Sequence, residues 1–348
     1  MHIGNRPVGP GHPCYIVAEA GVNHSGSIHT AKTLIRDAAW AGADAVKFQA
    51  FRTSNLVTKE APKAEYQRSE LNRDESQYEM LRRLELSRDA LTSLNTFAHR
   101  ISITLFCSVF DETSAAEVSR LNPPAYKIGS GELTNLPLLS HVSEYGKPMI
   151  VSTGMATAEE CRHAVSAIRI QLKFRGLILL HCVSQYPARL EDCNFRAMET
   201  LAGMFRVPVG FSDHTPGLEA PIAAVAMGAS LLEKHLKSRD NPQNPDDATS
   251  INVVQFKRMV DSIRALEKGM GNGVKLPTAE ERQMALVARK SIVAARDIPA
   301  GTVMDKSWIV MKRPGTGIPP GRFFLLNWRR AKQDILQDTI LEEGMFES

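Results

Sequence analysis

Cysteine is scarce in this chain of 348 residues, and its positions show none of the spacings that bind zinc. The five cysteines are an odd number and lie far apart: Cys14, Cys107, Cys161, Cys182 and Cys193. This pattern does not fit the disulfide framework of a secreted protein, and small apolar core residues explain it better. We therefore expect a reducing compartment, the cytoplasm.

A long apolar run and a basic cluster are missing as well. The longest apolar stretch, residues 221–232, is too short to span a bilayer, and residues 1–13 lack the apolar segment of a secretory signal. The net charge of +4 is mild, and no run of lysine and arginine is interleaved with aromatic residues. We expect small-molecule substrates, with neither nucleic acid nor a membrane as partner.

What the chain does contain is a repeated alternation of short apolar segments and amphipathic ones. The apolar segments have the length of buried parallel strands and are residues 14–21, 45–51, 103–108, 125–130, 148–153, 177–182, 207–213 and 231–236. Apolar residues at helical spacing follow each of them, as in residues 28–41, where Ser27 is the expected N-cap and Gly42 the expected stop. Another helix is predicted over residues 79–98, after an irregular connection over residues 52–74.

Eight such units predict a (β/α)8 TIM barrel of the α/β class. No G-x-G-x-x-G follows the first apolar segment, which disfavours an open doubly wound sheet. The alternation ends near residue 271, so we predict a TIM-barrel catalytic domain over 1–271, a linker over 272–285 and a small C-terminal domain over 286–348. Within the small domain, residues 291–295 and 308–312 read as strands.

Polar residues cluster where the predicted barrel strands end, which is where TIM barrels place their active sites. His214 and His235 end the last two strands, each with an acidic residue nearby, and together they predict a divalent-metal site. Lys47 and Lys127 lie inside apolar strands, where an ammonium group needs an anion. Small hydroxyl groups surround these lysines, and the set suits a bound phosphorylated acid: Ser108, Ser130, Ser152 and Ser212.

Less specific interpretations of these residues stay open. Each lysine could pair with a neighbouring carboxylate such as Glu19 or Glu132, or one of them could form a Schiff base with a carbonyl substrate. His24 lies in a turn, where a local capping bond or a substrate contact is a better interpretation than metal ligation.

Seven motifs resemble those of the sialic acid synthase family, which condenses phosphoenolpyruvate with N-acetylmannosamine-type sugars: IVAEAGVNHSG, AVKFQAF, YKIGSGE, VSTGM, LLHCVSQYP, GFSDHT and LLEKH. The tail ARKSIVAARDIPAGTVM…VMKRPGTGIPP resembles the antifreeze-protein-like (SAF) domain of those enzymes. The resemblance implies a TIM barrel followed by a SAF domain, and a homodimer in which the SAF domain covers the partner's active site.

Site roles are implied by the same resemblance. The phosphoenolpyruvate-binding residues would be Lys47, Ser108, Lys127, Ser130, Ser152 and Ser212. His214 and His235 would hold Mn2+ or Mg2+ and count as catalytic, together with Glu19 or Glu233 for the proton transfers. The sugar-binding residues would be Gln49, Tyr186, Asp246 and, from the SAF domain, Arg313, with Glu19 also beside the sugar.

The implied reaction is metal-dependent condensation of phosphoenolpyruvate with open-chain N-acetylmannosamine to N-acetylneuraminate, with C–O cleavage and phosphate release. Ser108 and Ser184 depart from the family's common threonine and asparagine, and the second departure weakens the choice of sugar. A legionaminate-type synthase that uses a 2,4-diacetamido-2,4,6-trideoxyhexose is the nearest alternative. A Schiff-base lyase and a non-enzymatic SAF binding protein are the others.

Overall fold

The computed structural model describes residues 1–64, 75–170, 176–238 and 244–347. They divide into two units, Met1–Gly271 and Asn272–Ser348. Among these described residues, no helix combines the length and the apolar character that a bilayer crossing requires. All five cysteines are buried and unpaired, in agreement with their interpretation as core residues.

Eight parallel strands form the centre of the first unit. A short antiparallel hairpin, β1 (His2–Ile3) and β2 (Arg6–Pro7), precedes them. The barrel strands are β3 (Tyr15–Gly21), β4 (Ala45–Ala50), β5 (Thr104–Val109), β6 (Tyr126–Ile128), β7 (Met149–Ser152), β8 (Leu177–Cys182), β9 (Val209–Asp213) and β10 (Leu231–Lys237). Each strand pairs with the next, and β10 pairs with both β9 and β3, so the sheet closes and the TIM-barrel prediction is confirmed.

Helices follow the strands, and most of them cover the outside of the sheet. They are α1 (Ile28–Ala41), α2 (Thr53–Leu56), α3 (Gln77–Leu84), α4 (Arg88–Arg100), α5 (Glu112–Ser119), α6 (Leu136–Ser143), α7 (Ala158–Arg169), α8 (Ala197–Phe205), α9 (Glu219–Ala226) and α10 (Val253–Gly269), the last entered through the short strand β11 (Ile251–Asn252). The predicted limits of α1 are confirmed, because the Ser27 side chain accepts a hydrogen bond from the Thr30 N–H and Gly42 takes a left-handed φ of 84°.

Two predicted element boundaries are wrong. The helix expected over residues 79–98 is two helices, because Ser87 caps α4 with its side chain and Glu85 is already extended. Part of the connection predicted over residues 52–74 lies outside the described residues, and its described part includes α2. The strand expected to reach Ser130 ends at Ile128, and Ser130 begins a 3-10 turn.

The barrel interior changes character along its axis. Its amino-terminal half is apolar and is completed by Ile3 and Val8 from the N-terminal segment. A larger apolar layer lies between the sheet and the helices. At the carboxyl half, buried charged and hydroxyl side chains replace the apolar ones, among them Glu19, Lys47 and Glu233. Because burying charges is costly, this half must be organised by pairing or by ligands.

The second unit is small and mostly irregular. It contains the helix α11 (Ala279–Ala288), which has no buried residue, and an antiparallel pair, β12 (Ser291–Ala294) and β13 (Ile309–Lys312), which contributes to a core of its own. The interval 272–285, predicted as a linker, includes the first residues of α11, whose Thr278–Glu281 capping box the prediction overlooked.

Candidate active site

A cavity of about 540 Å³ opens at the carboxyl ends of the barrel strands. It is lined by every residue predicted for the site except one: Glu19, Lys47, Gln49, Ser108, Lys127, Ser130, Ser152, Tyr186, Ser212, His214, Glu233, His235 and Asp246. The exception, Arg313, is exposed and belongs to the second unit, so its contact with the sugar stays a prediction. The roles of the others are predictions too, but the barrel brings them together.

Lys47 lies at the centre of the cavity floor. Its Nζ is 2.9 Å from Glu19 Oε2, and it donates a hydrogen bond of 2.7 Å to the Ser108 hydroxyl. Burial alone would lower the pKa of this ammonium, but the carboxylates of Glu19 and Glu233 outweigh burial and raise it. Lys47 is therefore a protonated cation at neutral pH.

Glu233 lies between the two lysines. Its carboxylate oxygens are 3.6 Å from Lys47 Nζ and 3.6 Å from Lys127 Nζ, and one of them accepts a hydrogen bond of 2.9 Å from Ser212. Burial opposes the charged carboxylate, but Lys127 and Lys47 outweigh it and lower the Glu233 pKa to about 2. The pKa of Lys127 is itself lowered, mainly by burial. The lysines thus pair with carboxylates, as the less specific interpretation allowed, while Glu132 instead accepts from the Asn135 side chain.

Two hydroxyl groups that line the cavity have no hydrogen-bond partner within the described part of the chain. They are Ser152 Oγ and Ser184 Oγ, and both are buried. Ser130 Oγ lies close by and accepts a hydrogen bond of 3.0 Å from the Gly154 N–H. A Cβ on Gly154 would lie 2.2 Å from Ser184 Oγ, so glycine leaves these hydroxyls room. Unsatisfied hydroxyls beside two ammonium groups suit the oxygens of a phosphate or a carboxylate.

His214 and His235 line the cavity together, with ring centroids 5.5 Å apart. His214 Nδ1 donates a hydrogen bond of 2.7 Å to the Val183 carbonyl, which directs the lone pair of Nε2 away from that bond. His235 Nδ1 is buried without a hydrogen-bond partner among the described residues. Burial lowers both pKa values, that of His214 to about 3 with help from His235, so both rings are neutral. A neutral imidazole is the form that binds a metal.

The donor set fits a divalent cation with open positions. Among the described residues, no three His, Cys, Asp or Glu side chains surround one metal position. Two imidazoles would therefore be the protein ligands, and substrate or water oxygens would complete the shell. His24 does not line the cavity, and its Nδ1 accepts a hydrogen bond of 3.0 Å from the Gly26 N–H, which is the capping role expected for it.

Asp246 reaches the cavity from the loop after β10. The Val22 N–H donates to its Oδ2 at 3.4 Å, and the same oxygen is 3.5 Å from His235 Nδ1. Gly21 makes this approach possible, because a Cβ there would lie 2.5 Å from Asp246 Oδ2 and 3.3 Å from Glu19 Oε1. Sequence reasoning missed Gly21 because it read as an ordinary strand end.

For the two substrates that the family resemblance implies, the Gly21→Ala variant is expected to lower kcat/KM for the sugar about tenfold while leaving the KM for phosphoenolpyruvate unchanged. The added methyl group displaces Asp246, and the left-handed φ of 49° adds roughly 1 kcal/mol of strain. Steady-state kinetics with each substrate varied in turn measures the effect. Gly228→Ala is the matched control, because Gly228 also has a positive φ, of 94°, but no atom lies within 4 Å of its Cβ position. Equal losses in both variants would contradict the steric explanation.

An apolar shelf forms one wall of the cavity and consists of Val22, Leu56, Met80, Leu81, Leu84 and Phe110. The sequence places Met80, Leu81 and Leu84 on the apolar side of the helix predicted over residues 79–98. In the structure they belong to an apolar cluster separate from the main barrel core. The sequence signal that could have indicated this cluster is Ser87, which marks the break between α3 and α4.

Comparisons with known proteins identify the family of this chain. A model described as "NeuB family" matches residues 34–275, and a model described as "SAF domain" matches residues 289–347. The N,N'-diacetyllegionaminic acid synthase of Legionella pneumophila is 40% identical over 344 residues, which cover 97% of this chain and 96% of that protein. The N-acetylneuraminate-9-phosphate synthase of Homo sapiens is 32% identical over 342 residues, covering 97% and 94%.

A solved structure shares both fold and sequence. The crystal structure of N-acetylneuraminic acid (sialic acid) synthetase from Leptospira borgpetersenii, in complex with citrate, superimposes with a TM-score of 0.72 at 31% identity, over 82% of this chain and 94% of that one. The family model covers more than half of the chain, and the relatives span nearly all of it. The chain therefore belongs to the NeuB family, the family of sialic and legionaminic acid synthases, and is an enzyme of that family with a C-terminal SAF domain.

Proposed function

We propose that this enzyme condenses phosphoenolpyruvate with the open-chain form of an acylated amino sugar and releases phosphate. The observation that carries the proposal is the juxtaposition of two ammonium groups, two unsatisfied hydroxyls and two neutral imidazoles around one cavity. The first four groups suit a phosphorylated acid, and the last two suit a divalent metal. In the bond-forming step, carbon 3 of phosphoenolpyruvate attacks the sugar aldehyde. Water then adds to carbon 2, and the C–O bond to phosphate breaks.

The floor of the cavity would hold phosphoenolpyruvate. Lys47 and Lys127 supply the positive charge, while Ser152 and Ser184 offer hydroxyls that have no other partner among the described residues. Glu233 is their counter-ion, since it lies 3.6 Å from each lysine. The anionic substrate shares the two lysines with Glu233, so binding needs no change in their protonation.

His214 and His235 would hold Mn2+ or Mg2+. When bound, the metal would supply Lewis-acid polarisation of the sugar aldehyde. Tyr186 packs on this pair, with its ring centroid 4.3 Å from that of His214, and so limits the directions from which water can reach the imidazoles. His214 is held in one orientation by its bond to the Val183 carbonyl.

Glu19 is the better candidate for the proton transfers. Its Oε1 accepts a hydrogen bond of 3.3 Å from the Gln49 side chain. A Cβ on Gly21 would lie close to both Glu19 and Asp246, so Glu19 faces the side of the cavity proposed for the sugar. Glu233 is the carboxylate that lies between the two lysines. Protonating Glu233 would leave Lys127 without its carboxylate, whereas burial already raises the pKa of Glu19, so a proton is moved at lower cost on Glu19.

The apolar shelf favours a deoxygenated, acylated acceptor. In the described part of the chain, Lys47 and Lys127 are the only lysine or arginine residues lining the cavity, and both lie on its floor. The shelf offers methyl and methylene groups rather than a cation, so it suits a methyl group or an N-acetyl group better than a sugar phosphate. A 2,4-diacetamido-2,4,6-trideoxyhexose fits this wall better than N-acetylmannosamine, and a relative named for a diacetylated product is 40% identical.

An acceptor panel tests the proposal. With phosphoenolpyruvate and Mn2+, phosphate release is expected with the diacetamido-trideoxyhexose, less with N-acetylmannosamine, and least with its 6-phosphate. Leu81→Lys is expected to lower kcat/KM for the deoxy sugar at least about tenfold, because it places an ammonium group on the shelf. The exposed Leu190, outside the cavity, gives the control Leu190→Lys. No phosphate release with any acceptor would overturn the proposed function, and preference for the 6-phosphate would overturn the acceptor class.

The quaternary arrangement belongs to the proposal as well. We infer a homodimer in which Arg313 of the SAF domain contacts the acyl group of the sugar in the partner's cavity. The resemblance to the family and the exposed position of Arg313 support this assignment. The expected location, the cytoplasm, rests on the five unpaired, buried cysteines.

A further inference from the structure

One further buried ion pair lies outside the cavity, between strands β9 and β10. Lys234 Nζ is 2.6 Å from Asp213 Oδ2, and both side chains are 0% exposed. Neither residue lines the cavity. The two are in register, while the preceding pair, Ser212 and Glu233, points inward and forms a hydrogen bond. Since side chains alternate across a strand, Asp213 and Lys234 lie on the helix-facing side of the sheet.

The pair also holds the backbone that follows β9. The Thr215 N–H donates to Asp213 Oδ1 at 2.8 Å, and Lys234 donates to the Thr215 carbonyl. His214 is the residue between Asp213 and Thr215, so the segment that carries it is fixed on both sides. His235 directly follows Lys234 on the neighbouring strand. One ion pair thus ties together the two segments that deliver the imidazoles.

Stability alone does not account for this arrangement. A buried ion pair contributes little net stability, because desolvating both charges offsets their attraction, and an uncharged pair of similar volume is often as stable. What an ion pair adds is a defined geometry. Here the groups it orders are the ends of β9 and β10, whose imidazole centroids are 5.5 Å apart.

We infer that Asp213 and Lys234 are positioning residues that set the spacing of His214 and His235 for metal binding. The inference rests on the proposed function, in which those imidazoles hold a divalent cation. Asp213 and Lys234 act through the backbone and touch neither the metal nor the substrates.

The double variant Asp213→Asn/Lys234→Met tests the inference in the full-length protein. It removes both charges together, so no uncompensated charge stays buried, and the amide oxygen of the introduced asparagine can still accept from the Thr215 N–H. The Kd for Mn2+, measured by titration calorimetry, is expected to rise at least about tenfold, as is typical when a group that orients a metal ligand is lost. The KM for phosphoenolpyruvate is expected to stay within about threefold of the parent value.

Arg264→Met is the matched control. It breaks two other ion pairs, at 2.8 Å with Asp44 and at 3.0 Å with Glu267, and Asp44 lies next to the first residue of β4, far from the imidazoles along the barrel axis. It is expected to lower the unfolding temperature and to leave the Kd for Mn2+ unchanged. If the double variant binds Mn2+ as the parent does, the inference is overturned while the proposed function stands. If the parent binds no Mn2+, the inference falls as well, whereas absent phosphate release with every acceptor refutes the proposed function itself.

Discussion

The His235→Ala variant is expected to lose turnover by a factor on the order of 100 or more while remaining folded. His235 would supply one of two protein ligands to the metal, and losing it removes several kcal/mol of transition-state stabilisation. Its Nδ1 makes no hydrogen bond within the described residues, so the ring contributes little to the network that holds the barrel together. Turnover at saturating Mn2+ and the unfolding temperature together measure the effect.

His24→Asn is the control for that experiment. His24 is also a fully buried histidine, but it lies outside the cavity and bonds through Nδ1 to the Gly26 N–H. The asparagine oxygen can accept the same bond, so the control removes an imidazole without removing the cap. We expect it to retain turnover within a few fold of the parent. A metal-saturated His235→Ala variant that ran at the parent rate would show that His235 is not a ligand.

The barrel and the location of the site could be predicted from sequence because both follow from local patterns. Strand-like segments alternate with helical ones, and polar residues cluster toward the carboxyl ends of the strands and just beyond them. Since parallel strands bring their carboxyl ends to one edge, residues as distant as Glu19 and Glu233 are placed together without further information. The family resemblance gave the same fold from motifs, and the comparisons confirm the family and the fold.

The pairing within the site could be predicted only in part, because Glu19, one of the two counter-ions proposed from the sequence, does lie 2.9 Å from Lys47 Nζ. Glu132, close to Lys127 in sequence, was a proposed counter-ion, yet Glu233 takes that place because it faces Lys127 across the barrel. Asp213 stands beside His214 in sequence and could be taken for part of the site. Strand alternation turns it to the other side of the sheet, where it meets Lys234. Such assignments depend on which strands are neighbours and on which face each side chain lies.

The close approach of distant side chains to particular glycines could not be predicted from the sequence either. Gly21 and Gly154 matter because side chains distant in sequence occupy the space that a Cβ would need. The apolar shelf depends on where α3 ends and α4 begins, and one capping serine decides that. These features determine which sugar fits, so the chemistry is easier to predict from sequence than the acceptor.

The Lys47→Met variant is expected to weaken phosphoenolpyruvate binding about 10- to 100-fold, because a hydrogen bond to a charged group contributes about 1.5–3 kcal/mol. It is also expected to lower the free energy of unfolding by about 3–5 kcal/mol, since Glu19, only 1% exposed, is left without its cation. Calorimetric titration with phosphoenolpyruvate and chemical denaturation measure the two effects. The double variant Glu19→Gln/Lys47→Met separates them, because it removes the stranded carboxylate and should recover stability without recovering the affinity.

The same lysines decide between this mechanism and a Schiff-base lyase. Lys47 is held as an ammonium ion by two carboxylates, whereas burial lowers the pKa of Lys127, so Lys127 rather than Lys47 is the lysine that an imine mechanism would use. Borohydride reduction in the presence of pyruvate is expected to leave the parent mass unchanged, and a chelator is expected to abolish turnover until Mn2+ is restored. A pyruvate adduct that disappears in Lys127→Met, or full activity in the chelator, would replace the metal-dependent condensation with imine chemistry. If the Lys47→Met variant bound phosphoenolpyruvate more tightly than the parent, Lys47 would not be a cation that binds this substrate.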